Sequence, residues 1–298
     1  MNFKNITVAG SGVLGYQIAF QTAFHGFNVT VYDINDEVLE KAKAKFTNLS
    51  EAYKRDLNAN EEQLNKTFQN LKYNSNLGEA VKDADLVIEA IPENPAIKIS
   101  FYKELAKVAP EKTLFATNSS TLLPSMFAQA TGRPEKFCAL HFANTIWINN
   151  TAEIMGHAGT SSETFNAIVE FAKAIGMVTL PLHKEQPGYI LNSLLVPFLD
   201  AATNLLINDV SDPQTIDKTW MIATGAPMGP FAILDIVGIT TAYNINQMAA
   251  QKTQDPTKLK TVAYLKTNFI DKNKLGVATG EGFYKYPNPE YKDKDFLK

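Results

Sequence analysis

The chain has one cysteine among its 298 residues, Cys138. A lone thiol closes no internal disulfide, which excludes the disulfide-stapled small folds and suits a reducing compartment. Cys138 stands in the apolar run Phe137-Cys138-Ala139-Leu140 and reads as a small core residue, not a nucleophile. Histidine is scarce too: four scattered residues beside one cysteine offer no metal-ligand cluster, so no metal is expected. Neither sign of charge dominates, and a net charge of -3 at pH 7 argues against nucleic acid as the main partner. No apolar run approaches the ~18 residues of a membrane span. A first strand beginning by Ile6 leaves no space for a leader peptide. The expected location is the cytoplasm, with no membrane partner. Length suggests about two domains, and a hydrophobic content of 45% is enough for sizeable cores.

What is present is concentrated at the start. An apolar strand, Ile6-Thr7-Val8-Ala9, runs into Gly10-Ser11-Gly12-Val13-Leu14-Gly15, then a helical segment, then a second strand, Val29-Thr30-Val31-Tyr32, which ends at Asp33. This is G-x-G-x-x-G in the strand–turn–helix–strand setting that gives the pattern meaning. Gly10 makes the tight turn, Gly12 lets the backbone approach a pyrophosphate, and Gly15 lets helix and strand pack closely. Val13 and Leu14 complete the loop, where the helix N-terminus offers N–H groups and a positive dipole end to phosphates. Asp33 is placed to hold the adenosine ribose hydroxyls and to repel a 2′-phosphate; no Lys or Arg follows before Lys41. The cofactor is therefore NAD rather than NADP, with FAD the competitor that shares the fingerprint.

Strand and helix candidates alternate up to about residue 183, which predicts an α/β fold with a Rossmann-type, mostly parallel sheet. Strands are expected at 70–74, Asp85–Ile91, Thr113–Thr117 and Phe137–Phe142, with weaker candidates at Ala152–Met155 and Met177–Leu182. Helices are expected over Glu37–Phe46 and Glu163–Ile175. Residues 47–68 are helical but polar, either an insertion or a ligand-facing arm. Beyond the turn Glu185-Gln186-Pro187-Gly188 the pattern is all helical: Tyr189–Ile207 with a possible kink at Pro197, an N-cap at Asp212 before Pro213, then Phe231–Gln251 and Pro256–Asp271. Domain boundaries follow: 1–185 for an NAD-binding domain and 186–298 for a helical C-terminal domain.

Three strand ends carry polar groups where such sheets bind ligands: Ile91-Pro92-Glu93-Asn94, Thr117-Asn118-Ser119-Ser120-Thr121 and His141-Phe142-Ala143-Asn144. With these, the sequence resembles the L-3-hydroxyacyl-CoA dehydrogenase family, which includes 3-hydroxybutyryl-CoA dehydrogenases of fatty acid metabolism. The matching segments are Gly10–Gly15 with Asp33, Glu89–Asn94, Asn118-Ser119-Ser120, His141-Phe142 with Asn144 and Glu153, Pro187–Asn192, Pro227-Met228-Gly229-Pro230-Phe231 and Gly280-Glu281-Gly282-Phe283-Tyr284. The resemblance implies an oxidoreductase that interconverts a short-chain L-3-hydroxyacyl-CoA and its 3-oxo form with NAD. His141 would be the general base, suited by an ordinary imidazole pKa near 6.5. Glu153 would hold its other ring nitrogen. Ser120 and Asn192 would position substrate oxygen or nicotinamide, and Glu93, Lys98 and Asn144 would contact cofactor. It further implies a homodimer through the C-terminal domain and a CoA-binding arm near Lys54 and Arg55, which a solvated helix face explains as well. Ser120 suits a helix cap equally. His25, His157 and His183 share no motif.

The departures gather near the substrate. The family's His-Phe-Phe-Asn-Pro reads His141-Phe142-Ala143-Asn144-Thr145 here, a lysine three residues before the acid is Asn150, and Asn-Arg is Asn192-Ser193. Fewer cations put the acyl chain and the need for CoA in question, and Trp147 could fill space that Ala143 vacates. Two other readings stand beside the first: a dehydrogenase of a free 3-hydroxy acid of the L-gulonate or L-carnitine type, and a non-catalytic NAD-binding relative.

Overall fold

Short apolar runs, the central ones buried along nearly their whole length, become the strands β1 (Asn5–Ala9), β2 (Asn28–Tyr32), β3 (Leu71–Asn74), β4 (Leu86–Glu89), β5 (Leu114–Thr117), β6 (Phe137–Phe142), β7 (Thr151–Met155) and β8 (Val178–Leu182). They form one sheet in the order β3-β2-β1-β4-β5-β6-β7-β8. Every pairing is parallel except β6 with β7. The structure, a computed structural model, describes residues 3–298.

Alternation divides the strand side chains between two faces. Leu86, Ile88, Leu114, Ala116, Cys138, Leu140 and Phe142 join one core with Phe20, Phe46 and Phe171. Val87, Phe115 and Phe137 join the other with Tyr102 and Leu105. The helices that cover these faces are α1 (Gly15–Phe24), α2 (Asp36–Leu57), α3 (Glu61–Gln69), α4 (Leu77–Val81), α5 (Pro95–Val108) and α6 (Ser162–Ala174). The polar stretch after Phe46 is thus the second half of α2 and a separate α3, which begins with a capping box between Asn60 and Gln63. Tyr53 of α2 lies edge-on to Phe20 and Phe24 of α1 and donates to Gln21, so this stretch is pinned by buried aromatics despite its charged exterior. Each such ring contributes on the order of 1.5–3 kcal/mol of burial.

The chain forms two compact units, the first running through Leu191 and the second from Asn192 to Lys298. The long helix α7 (Tyr189–Ile207) contains the division, and Pro197 lies inside it without ending it. By length and composition it is long enough and apolar enough to cross a membrane, although 28% of that stretch is buried within the structure. Asn192, Ser193 and Asp200 interrupt the apolar run, so its uninterrupted stretches are each shorter than a span.

The second unit continues with α8 (Pro213–Thr224), α9 (Pro230–Val237), α10 (Ile239–Thr253) and α11 (Pro256–Asn268). Asp212 caps α8 through Thr215 N–H, as the Asp-Pro pair predicts. The single helix expected over Phe231–Gln251 is instead two, broken at Gly238, whose φ of 93° no helix accepts. Two buried carboxylates tie this unit together. Asp217 accepts from Phe231 N–H, Ala232 N–H and the Tyr284 hydroxyl. Asp235 accepts from Phe283 N–H, Tyr284 N–H and the Tyr286 hydroxyl. Burial pushes both carboxyls above their usual range, against those bonds. The segments around Gly229 and Gly282 are therefore the seats of these two acids: a Cβ at Gly282 would lie 2.0 Å from Asp235 Oδ1.

Candidate active site

The first strand–turn–helix is built as its glycines demand. Gly10 has φ +97°, and a Cβ there would stand 2.6 Å from the Ala90 carbonyl oxygen. At Gly15 a Cβ would collide with the Gly10 carbonyl at 1.8 Å, whereas nothing lies within 4 Å of one at Gly12. Gly12 thus faces open space at the N-terminus of α1, which no side chain caps. Val13 beside it is 66% exposed, and Leu14 is half-buried. Asp33, at the end of β2, accepts through Oδ2 from Ser11 N–H at 2.7 Å and Ser11 Oγ at 2.6 Å, so its carboxylate is anchored to the glycine turn. Lys45 on α2 brings its ammonium 3.3 Å from the Ser11 carbonyl oxygen. An open Gly12, an uncapped helix N-terminus and an anchored acid fit NAD: the turn would take the pyrophosphate and Asp33 the adenosine ribose.

The proposed base sits where β6 and β7 run antiparallel. Their register pairs His141 directly with Glu153, so residues 12 apart in sequence become cross-strand neighbours on one face. His141 Nδ1 lies 3.0 Å from Glu153 Oε2, and Nε2 lies 3.2 Å from Ser120 Oγ. Both His141 and Glu153 are buried. The other oxygen of Glu153 accepts from Ile190 N–H at 2.8 Å and Leu191 N–H at 3.0 Å, in the first turn of α7. Burial pushes the Glu153 carboxyl up, but the bonds from His141, Leu191 and Ile190 outweigh it and hold the group below its usual value. A carboxylate at Nδ1 keeps the proton there and leaves Nε2 as the acceptor.

Glu93, Lys98 and Asn144 have occupations of their own. Glu93 Oε1 accepts from Ser119 Oγ, Ser120 N–H, Thr121 N–H and Thr121 Oγ, at 2.6–3.0 Å, and so shapes the loop that carries Ser120. Burial raises its carboxyl, but these bonds and the charge of Lys98 lower it more. Lys98 is 1% exposed and forms a buried ion pair with Glu89, with Glu93 3.4 Å away. Thr117, in register with Glu89, and Tyr102 complete that network. Asn144 Oδ1 accepts from the amide of Gln17, which also donates to Val13 O and accepts from Thr145 and Ile146 N–H. Gln17 therefore joins the glycine-turn helix to the loop after β6. Asn192 opens the second unit.

The departures from the family pattern have structural counterparts. Thr145 has φ +61°, which a proline ring at about -65° does not reach, and its N–H is used by Gln17. Trp147 turns its indole toward α2, donating to Asp56 Oδ2 at 2.9 Å and packing on Tyr53. Asn150 donates to the Gly176 carbonyl. Near the expected CoA arm, Lys54 pairs with Glu51 and Glu61, and Arg55 is held by both oxygens of Asp56. Two residues with a direct part in this geometry were missed on the sequence. Gln17 carries no signal, being one amide in a helix. Tyr189 lies within the quoted segment Pro187–Asn192, but nothing in its spacing points at His141.

A Rossmann-type sheet with this turn and anchored acid defines a nicotinamide-dependent oxidoreductase. Sequence profiles place it further. The NAD-binding domain of 3-hydroxyacyl-CoA dehydrogenase matches residues 5–186, and the C-terminal domain of the same enzyme matches residues 188–286. The chain belongs to the 3-hydroxyacyl-CoA dehydrogenase family, and NAD is the cofactor of that fold. It is 34% identical over 289 residues to the human mitochondrial hydroxyacyl-coenzyme A dehydrogenase, covering 95% of this chain and 91% of the relative. A probable 3-hydroxybutyryl-CoA dehydrogenase of Bacillus subtilis is 31% identical, covering 96% and 98%. Among solved structures, a diketoreductase described as catalysing reactions of dicarbonyl compounds is 56% identical, with a TM-score of 0.91 over 96% of this chain and 100% of that one.

Proposed function

We propose that this chain oxidises the 3-hydroxyl of a short-chain L-3-hydroxyacyl-CoA and runs the reverse reduction, with His141 as general base and Glu153 orienting it. The observation that carries this reading is the line Ser120 Oγ–His141–Glu153, with an acceptor nitrogen at one end and a buried, doubly bonded carboxylate at the other. NAD, when bound, supplies the hydride acceptor for the carbinol carbon. In oxidation His141 Nε2 takes the hydroxyl proton, while Glu153 balances the charge that forms on the ring. In reduction the imidazolium returns that proton to the developing alkoxide. Ser120, opposite Nε2, and Asn192 are assigned to the substrate oxygen or the nicotinamide. Glu93, Lys98 and Asn144 shape the cofactor side through their contacts.

A second reading, reduction of a CoA-free dicarbonyl compound, is favoured by two observations. Lys54 and Arg55 are spent on carboxylates of this chain, and the 56% identical relative is a diketoreductase. NADH consumption with acetoacetyl-CoA, run beside acetoacetate and its ethyl ester, separates the two. Turnover of the thioester alone upholds the first reading. Turnover of the free compounds alone upholds the second. Silence with all three, while NADH still binds, refutes both.

A homodimer through the second unit is part of the proposal. Leu194, Ile222 and Met248, each more than half exposed, support a second copy as the cover for that surface. A cytoplasmic location suits Cys138, whose thiol burial pushes up to about 12 and so out of reach of ready oxidation.

A further inference from the structure

Among the described residues of the first unit, Tyr189 is the one bulky aromatic held at positive φ, at +56°. That conformation costs a non-glycine residue of order 1–3 kcal/mol, and it persists only where surrounding contacts over-determine it. Those contacts converge on the proposed base. The phenol ring lies parallel to the His141 imidazole, with centroids 4.5 Å apart and planes 17° apart. Its hydroxyl donates to the Ser119 carbonyl at 2.8 Å, one residue before Ser120. Burial raises its pKa far above the usual phenol range, so it remains a donor. The two residues that follow it supply the N–H groups that hold Glu153.

We propose that Tyr189 is a positioning residue for the base: its ring fixes the plane of the His141 imidazole, and its hydroxyl pins the Ser119–Ser120 turn so that Ser120 Oγ stays opposite Nε2. Glu153 and Ser120 hold the two ring nitrogens but leave the imidazole free to rock about the line between them. A parallel ring on the face removes that freedom. It also presents π density to the imidazolium formed in alcohol oxidation. The backbone conformation is what aims the ring, because a helical φ at residue 189 would turn the side chain elsewhere. This inference rests on His141 being the base.

The test compares Tyr189→Phe, which keeps the ring and loses the hydroxyl, with Tyr189→Leu, which keeps apolar volume and loses the ring. Each is measured for kcat, KM, NADH dissociation constant by fluorescence, and the pH dependence of alcohol oxidation. Tyr189→Phe should lower kcat by about three- to tenfold, the effect of one ordinary hydrogen bond, with NADH affinity and the acid limb of the pH profile unchanged. Tyr189→Leu should lower kcat by roughly ten- to a hundredfold, the scale of a small misplacement of reacting groups. It should also move the acid limb down by roughly half a unit or more. Wild-type kcat in both variants overturns the proposal. So does a fall in kcat that only parallels lost NADH binding in both. If Tyr189→Leu does not fold, wild-type kcat in Tyr189→Phe alone overturns it. His141→Gln is assayed alongside: activity retained there refutes the base itself, whereas an inactive His141→Gln beside fully active Tyr189 variants refutes only the role given to Tyr189.

Discussion

Replacing Glu153 with glutamine should disable the proposed base, His141, while leaving the protein folded. The carboxylate has two tasks, one on each oxygen: Oε2 faces His141 Nδ1 at 3.0 Å, and Oε1 accepts from Ile190 and Leu191 N–H. A glutamine has one acceptor oxygen and one donor NH2. If the NH2 faced the two backbone N–H groups, donors would meet donors in a buried place, at a cost of about 1–3 kcal/mol for each group left unpaired. The favoured orientation keeps the oxygen on the helix and points the NH2 at His141. The imidazole must then accept at Nδ1 and carry its proton on Nε2, the nitrogen that has to receive the substrate proton. A tautomer of the wrong sense costs on the order of 10⁴ in kcat in the serine-protease template. Here the substrate hydroxyl is a single transfer partner, and we expect a loss of about 10³–10⁴, or about 4–5.5 kcal/mol of barrier. Single-turnover NADH formation from the 3-hydroxy substrate measures the chemical step. NADH fluorescence and the thermal midpoint check that cofactor binding and fold survive. A Glu153→Gln enzyme that keeps more than a tenth of wild-type kcat would refute the tautomer argument, whatever its stability.

Four further outcomes follow from the same geometry. Gly12→Ala should leave thermal stability nearly unchanged, because its Cβ meets open space, yet weaken NADH binding at least tenfold; Gly10→Ala should instead destabilise by several kcal/mol, since φ +97° and a 2.6 Å contact both oppose it. Paired fluorescence titration and calorimetry decide this, and equal effects at the two glycines would contradict the turn geometry. Lys98→Met should destabilise urea unfolding by about 3–5 kcal/mol, because it strands Glu89 in the buried ion pair; an unfolding curve unchanged beside weaker NADH binding would show that Lys98 serves the cofactor instead. Thr145→Pro, although it restores the family residue, should cost about 3 kcal/mol or more and lower NADH affinity, since proline has neither φ +61° nor the N–H that Gln17 receives. Glu93 and Glu153 both titrate below their ordinary value in the fold, so the stability they contribute is present above about pH 4.3 and is lost as pH falls through their lowered values. Glu93→Gln should flatten that acid loss in urea midpoints, and a curve of unchanged slope would contradict the assignment.

Much of this molecule is readable before folding because its signals are short-range. Gly10, Gly12 and Gly15 are required by local backbone conformation and close approach, so the NAD turn is visible in six residues. Asp212-Pro213 announces α8 for the same local reason. The strands of the sheet are legible from apolar runs that must be covered on both faces. His141 and Glu153 were paired through likeness to a family rather than through any rule of spacing. What could not be read are relations that packing alone creates. The antiparallel turn from β6 to β7 sets the register that makes those two residues neighbours. The break at Gly238 follows from a backbone angle that periodicity does not report.

The sequence by itself determined the fold class and the nicotinamide cofactor, while the proposed base and its acid came from likeness to a family. The first two follow from residue chemistry within a strand or turn, where neighbours in sequence are neighbours in space. The tertiary structure decided which of the other polar residues reach solvent or ligand. It buried Lys98 against Glu89, turned Glu93 onto the Ser119–Thr121 loop, joined Gln17 to Asn144, and laid Tyr189 over His141. A side chain's occupation is set by whichever buried partner satisfies it at the lowest free energy. That partner is usually far away in sequence, brought near only when the sheet and its covering helices close.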